Sequence, residues 1–289
     1  MKKKMIHTLN YMALFLLGIL FIYPLIVTFT NSFMSEKEIM LHYSTQLSLF
    51  DVLEGIKDAF VDMKLIPDQV SGEQYEEVLI AQPSFLVLLT NSMKITFPVV
   101  IGNVLVSLLS AYGFTLWQWK YKEALFRLYV IVMLMPLQAV IVPNYIIADT
   151  LQIKDSNLAI ILPGIFAPFG TFLLRQNMKA MSKEYFEAAS VDGASIGYIF
   201  LYIVVPQMKS GISALSILVF IEYWNLVEQA VIFIKEYYRE PLSVYLSRIA
   251  EGKVGLIFAA SCVYMFVPIW FLILGQKDLE KGIELSGIK

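Results

Sequence analysis

Cysteine is almost missing from these 289 residues: Cys262 is the only one. A disulfide framework needs pairs and a thiolate metal site needs clusters, so neither is available. Cys262 sits in an apolar stretch and reads as packing. Histidine is nearly as scarce, and His7 and His42 stand far apart, which leaves no basis for a His-based metal or catalytic centre. Charged residues make up 16% and sum to -2, which excludes a general affinity for nucleic acid. No G-x-x-x-x-G-K-[ST] occurs. "EGKVG" at 251–255 lacks the earlier glycine, so the chain has no phosphate-cradling loop of its own.

Apolar length stands in place of charge. Hydrophobic residues account for 58% and mean hydropathy is +0.67, outside the usual range of soluble domains. A helix crossing about 30 Å of hydrocarbon needs roughly 20 apolar residues. Charge-free runs between His7 and Glu36, Ile95 and Trp119, Leu128 and Ala148, and Val254 and Gln276 meet that length, and Ser156–Leu174 is short but sufficient. Another run starts at Ser210 and is interrupted by Glu222 and Glu228 before Ile234. The expectation is an all-α polytopic membrane protein, a single domain over 1–289. Its six transmembrane helices are expected at 9–34, 95–119, 128–148, 156–174, 209–234 and 254–276. "MKKK" before the first run has the charge of a signal peptide, but the run is too long and no small-residue cleavage site follows, so it reads as a helix. The 13 methionines are scattered among the spans and read as packing rather than a metal relay.

Basic residues orient the spans. "MKKK", Lys120, Lys122, Arg127, Arg175, Lys179, Lys183, Lys209, Lys277, Lys281 and Lys289 fall on one side of a six-span path, 13 in all, against 8 on the other, with Lys94 at a boundary. Both termini are therefore expected in the cytoplasm, and 35–83 is expected to be an extracellular loop.

This topology puts "EYFEAASVDGASIGYIFLYIVVP", 184–206, in the cytoplasm between two spans. Alanines and a glycine allow close backbone approach, and Asp192-Gly193 is a turn signal, so a small-faced helical hairpin is expected. The spacing Glu187-Ala188-Ala189, three residues, Gly193, nine residues, Ile203, one residue, Val205-Pro206 resembles the EAA loop of ABC importer membrane subunits, E-A-A-x3-G-x9-I-x-L-P, with valine for leucine at 205. "LAIILPGIFAPFGTFLLRQNMKAMSKEYFEAASVDGAS", "SAYGF" at 110–114, "VPNY" at 142–145 and "YWN" at 223–225 are similar to carbohydrate-uptake permeases of the maltose-transporter type. The resemblance implies a type I ABC importer permease fold in the bacterial cytoplasmic (inner) membrane. It implies a coupling role for Glu187, Ala188, Ala189, Asp192, Gly193, Ile203 and Pro206. The partners it implies are a second related permease forming a heterodimer, a cytoplasmic ABC ATPase dimer, and an extracellular lipid-anchored or periplasmic sugar-binding protein. No cofactor is implied in this chain; ATP and Mg belong to the partner ATPase, and the subunit is not itself an enzyme. Closure of the ATPase around ATP would drag the hairpin and swing the helices between inward-open and outward-open states.

The fifth span carries the other anomaly, because ionisable residues inside a membrane are costly and usually face a pathway or an internal pair. Read as one continuous helix, it places Glu222, Asn225 and Gln229 on one face, with Trp224 beside them. Donors, acceptors and a ring suit a sugar, so these four are the candidate substrate path. The same face also suits a seal against another subunit. An ion-gradient-driven secondary transporter using Glu222 and Glu228 is the alternative reading; such folds carry internal repeats with broken helices in each half, and none is visible here.

Outside the spans, Phe50, Leu53, Ile56, Phe60 and Met63 have helical spacing behind a capping-box-like Ser48 and Asp51, so an amphipathic surface helix is expected. From Glu36 to Glu77 ten acids face three lysines, a solvated face or a docking surface for a binding protein. "YREPLSVYLSRIAEGKVG" matches in position the family's external loop that reaches toward the binding protein, with Gly252 and Gly255 permitting a tight turn.

Overall fold

The computed structural model describes residues 2–43, 64–182, 184–248 and 254–286. Every regular element among them is helical. Four stretches are long and apolar enough to cross a membrane: His7–Asn31, Ser84–Leu116, Leu158–Lys179 and Val254–Gly282. Two bent pairs pass the same test together, Lys122–Met133 with Leu137–Thr150 at 102° and Ile196–Gln207 with Lys209–Trp224 at 72°. Among the described residues the number of crossings is therefore four, or up to six if each pair is one span; the second pair begins at Ile196, inside the 184–206 segment expected to be cytoplasmic.

The helices outrun the charge-free stretches that reveal them. Pro83–Leu116 has 34 residues and takes Lys94 into its interior, since an exposed lysine does not interrupt intrahelical hydrogen bonding. At 1.5 Å per residue such a helix is about 51 Å long, well beyond the hydrocarbon thickness. Absence of charge marks membrane depth, whereas backbone hydrogen bonding sets helix length. Val254–Ser286 likewise continues past Gln276 through Lys277, Asp278, Glu280 and Lys281.

Proline stands at two of the breaks, while Pro24, Pro98, Pro143, Pro163 and Pro268 lie inside helices. Pro136 is extended, φ -65° and ψ 148°, so the helix ending at Met133 cannot run into Leu137–Thr150. Pro168 opens Pro168–Lys179 at its first turn, where the missing N–H costs nothing, after Leu158–Ile165 has stopped.

The fifth stretch differs from the single 209–234 helix expected. Lys209–Trp224 ends with Asn225, and a separate short helix, Glu228–Phe233, follows. Asn225 Nδ2 donates to the Ile221 carbonyl at 2.9 Å, a local bond that competes with continuing the helix. The shared face drawn through Glu222, Asn225 and Gln229 therefore does not exist as one helical stripe.

The chain divides into two compact units, Met1–Leu86 with Leu246–Phe266, and Val87–Tyr245 with Val267–Lys289. In the first, Asn31 bonds the Tyr43 hydroxyl and Ser32 Oγ meets the Tyr75 hydroxyl at 2.8 Å. The 35–83 segment is partly helical, at Glu36–Tyr43 and Glu73–Glu76. Buried Glu38 accepts from the Asp68 N–H at 2.8 Å and pairs with Lys64 at 3.2 Å, which pulls the distal part of that segment onto Glu36–Tyr43. Cys262 Sγ donates to the Thr28 carbonyl at 3.7 Å, a packing role. The expected amphipathic helix at 50–63, its Ser48 and Asp51, and Gly252 lie outside the described residues.

In the second unit, Lys209–Trp224 packs in the middle. Phe220 stacks on Trp224 at 5.3 Å and on Phe271 at 4.5 Å between ring centroids. Ala214, Leu215, Phe220 and Trp224 are all fully buried. Burying a large apolar or aromatic side chain stabilises by about 1.5–3 kcal/mol when water is the alternative; against lipid, close packing supplies the gain instead.

Candidate functional site

The 184–206 segment folds as two short helices around a left-handed residue. Glu184–Val191 stops at Gly193, whose φ is +79°. The Gly193 N–H donates to the Ser190 carbonyl at 3.1 Å and the Ala194 N–H to the Ala189 carbonyl at 3.0 Å. These are the two bonds of a Schellman stop, which satisfies the last carbonyls of the helix and favours glycine at that position. Ser195 then caps the next helix, its Oγ accepting from the Tyr198 N–H at 3.2 Å. From Phe200 to Val204 the helix widens to a π turn, directly before Pro206 in Val205–Gln207. Pro206 has no N–H to give to the turn behind it.

One side of this hairpin faces away from the protein and the other is held. Glu187, Ala188, Asp192, Gly193 and Pro206 are exposed, while Ala189 and Ile203 are half-buried. Val191 is 86% and Tyr202 67% exposed, with Ile196 and Tyr198 also open. Phe186 and Ile199 are buried. They line a cleft of about 520 Å³ with Leu109, Tyr112 and Leu116 from the end of Pro83–Leu116. Tyr112 Oη donates to the Ile196 carbonyl at 2.9 Å and its ring lies 5.0 Å from Phe200. Tyr112 belongs to "SAYGF", noted as similar to the family without a role; the structure gives it one as a tie between hairpin and helix.

Below that tie, two buried polar side chains organise the helix ends. Arg175 counts in the sequence only as one of the basic residues that orient the spans, yet its side chain is 1% exposed and bonds Glu123 at 2.5 Å. Asn103 is buried where Leu158–Ile165 gives way to Pro168–Lys179. Its Nδ2 donates to the carbonyls of Gly164, Ile165 and Ala167 at 2.9, 3.3 and 3.3 Å. It thereby supplies a donor to carbonyls at the helix break, among which Gly164 also accepts from the Ala167 N–H at 3.3 Å. The crossing is close enough that a Cβ on Gly170 would stand 2.2 Å from Ser107 Oγ. A lone Asn in an apolar run gives no signal of this in sequence, because the broken helix it serves is 61 residues away.

The structure separates the four residues of the expected substrate path. Glu222 and Asn225 are exposed at the end of Lys209–Trp224, Gln229 is half-buried on the following helix, and Trp224 is fully buried against Phe220. Trp224 thus serves the core and is not open to a ligand. Glu228 accepts from Gln138 Nε2 at 3.2 Å, which joins the short helix to Leu137–Thr150. Among the described residues no group of three or more His, Cys, Asp or Glu side chains is arranged to hold a metal ion.

Several helices long and apolar enough to cross a membrane, with a glycine-stopped hairpin among them, define a polytopic membrane protein, and comparison with known proteins gives its class. Residues 103–276 match the family described as binding-protein-dependent transport system inner membrane component, and the chain belongs to that family as a multi-pass inner-membrane protein. It is 28% identical over 202 residues, 69% of this chain and 72% of the relative, to the arabinooligosaccharides transport system permease protein AraQ of Halalkalibacterium halodurans. It is 28% identical over 284 residues, 94% of each chain, to the sn-glycerol-3-phosphate transport system permease protein UgpE of Salmonella typhimurium. The lactose transport system permease protein LacG of Rhizobium radiobacter is 30% identical over 202 residues, 69% of this chain and 74% of the relative. In fold, it is similar to a chain of a bacterial ABC transporter involved in the import of the acidic polysaccharide alginate, with a TM-score of 0.78 at 19% identity, covering 96% of this chain and 97% of that one.

Proposed function

We propose that this chain is one permease subunit of an ATP-driven ABC importer and forms half of a translocation path for a sugar or oligosaccharide. It performs no covalent chemistry. Both termini and the 184–206 hairpin lie in the cytoplasm, where an ATPase dimer that binds ATP and Mg docks on the hairpin. A second, related permease completes the path, and an extracellular binding protein delivers the cargo. Alternating access follows the nucleotide state of the ATPase.

The observation that carries this reading is the hairpin itself. It offers open apolar side chains, Val191, Ile196, Tyr198 and Tyr202, beside exposed Glu187. It is also fixed to the membrane helices through Tyr112 and Phe186. A segment exposed to a partner on one side and fastened to the spans on the other can convert a partner's motion into a helix motion. The cargo class is supported by the relatives named for arabinooligosaccharide and lactose transport. The exposed polar ends Glu222 and Asn225 are the groups of this chain offered to the path.

Uptake of labelled mono- and oligosaccharides, with sn-glycerol 3-phosphate among the probes, tests the reading in a strain carrying the intact operon and in one lacking only this gene. Loss of one sugar's uptake, insensitive to an uncoupler while ATP is maintained, is the expected outcome. Uptake that collapses with the proton gradient at constant ATP would instead favour a secondary transporter and direct attention to Glu222 and Glu228.

A further inference from the structure

We infer that Arg175 is a positioning residue: it pins three helix ends into one body beside the hairpin, so that breaking the pin separates ATP hydrolysis from transport. The inference rests on the importer reading above.

Arg175 lies near the end of Pro168–Lys179 and reaches two other helices. Its Nη2 donates to Glu123 Oε1 at 2.5 Å, in the first turn of Lys122–Met133. Its guanidinium carbon stands 3.7 Å from the Phe126 ring centroid and 5.9 Å from that of Phe114, at the end of Pro83–Leu116. Phe126 in turn stacks on Phe172 at 6.3 Å and meets Phe114 edge-on at 5.6 Å. A guanidinium gives its edge to a carboxylate and its face to a ring at the same time, which the point charge of lysine cannot do.

The pin stands where the hairpin joins the spans. Arg175 and Glu123 line a cleft of about 440 Å³ whose other walls include Phe186 and Glu187. The hairpin connects covalently to Pro168–Lys179 and by the Tyr112 bond to Pro83–Leu116. A displacement of the hairpin enters those two helices directly and reaches Lys122–Met133 through Arg175 with the Phe126 cluster. Nε and Nη1 of Arg175 are buried without a hydrogen-bond partner among the described residues, so the edge of the guanidinium is committed to Glu123 alone.

The test uses the whole importer, this chain with its partner permease, ATPase and binding protein, in proteoliposomes. ATP hydrolysis and cargo uptake are measured on the same preparation for Glu123→Gln, Glu123→Asp and Arg175→Lys. The expected result is retained hydrolysis with uptake per ATP lowered about fivefold or more for Glu123→Gln and Arg175→Lys, a size ordinary for coupling between sites, and Glu123→Asp in between. A parent-like uptake-to-hydrolysis ratio in Glu123→Gln overturns the inference. So does a parallel loss of hydrolysis and uptake in proportion to lost complex, which marks a purely structural residue. If Arg175→Lys does not assemble, Glu123→Gln decides, since that side chain is 61% exposed. A parent complex without ATP-dependent uptake fails the importer reading instead.

Discussion

Gly193 holds φ +79°, where an L side chain costs about 1–2 kcal/mol. A Cβ there would meet nothing within 4 Å, so the cost belongs to the backbone and not to a clash. Alanine and asparagine should therefore behave differently. Gly193→Ala strains the turn and should weaken copurification of the ATPase and lower uptake, whereas Gly193→Asn, tolerant of the left-handed region, should stay near the parent. Gly193→Asp shares asparagine's tolerance and adds a charge, so a loss of copurification beyond that of the Asn variant places the tip in the docked interface. Equal copurification in all three variants would remove the hairpin tip from the account. Asp192-Gly193 was legible because turn chemistry is local. Arg175 was not, because its charge is visible in sequence and its burial under Phe126 is a property of three helices meeting.

Among the helices, what the sequence conveys is depth, and what it conceals is interruption. Each charge-free run overlaps one of the helices or bent pairs long and apolar enough to cross, while the helix from Pro83 extends beyond its run at Lys94 and the fifth stretch stops at Trp224. The stop has no proline and no glycine; Asn225 with its back-bonded side chain ends the helix, and asparagine is too common for that to be read in advance. Asn103 carries the complementary case, holding together a helix that proline does break. Asn103→Leu removes the side-chain donor from the carbonyls of Gly164, Ile165 and Ala167, of which Gly164 keeps the Ala167 N–H, at a cost of about 1–2 kcal/mol. Its melting temperature in detergent should fall by about 2–4 °C per kcal/mol. An unchanged melting temperature would mean that another group satisfies those carbonyls.

For the whole chain, family and fold class could be read from 184–206 and the spans, since a motif of fixed spacing between two apolar runs is a local signal, legible in a chain only 28–30% identical to the relatives above. The candidate path was less legible: Trp224 was grouped with Glu222 and Asn225 as a ring beside their helical face, and the fold turns it into the core. Orientation rests on the 13-to-8 bias of basic residues, which the fused-reporter experiment checks directly. A fluorescent protein joined after Lys289 should fluoresce and alkaline phosphatase at the same point should be inactive; the reverse pattern would put the hairpin on the wrong side for an ATPase.

The hairpin closes on itself with bonds donated by the Gly193, Ala194 and Tyr198 N–H groups, and this bears on how a complex assembles. A docking element that already has its bound shape surrenders little conformational entropy when its partner arrives. Association is then governed by encounter and orientation rather than by folding. On the proposed reading the subunit presents an already folded part, and the speed of assembly follows the concentrations of its pieces.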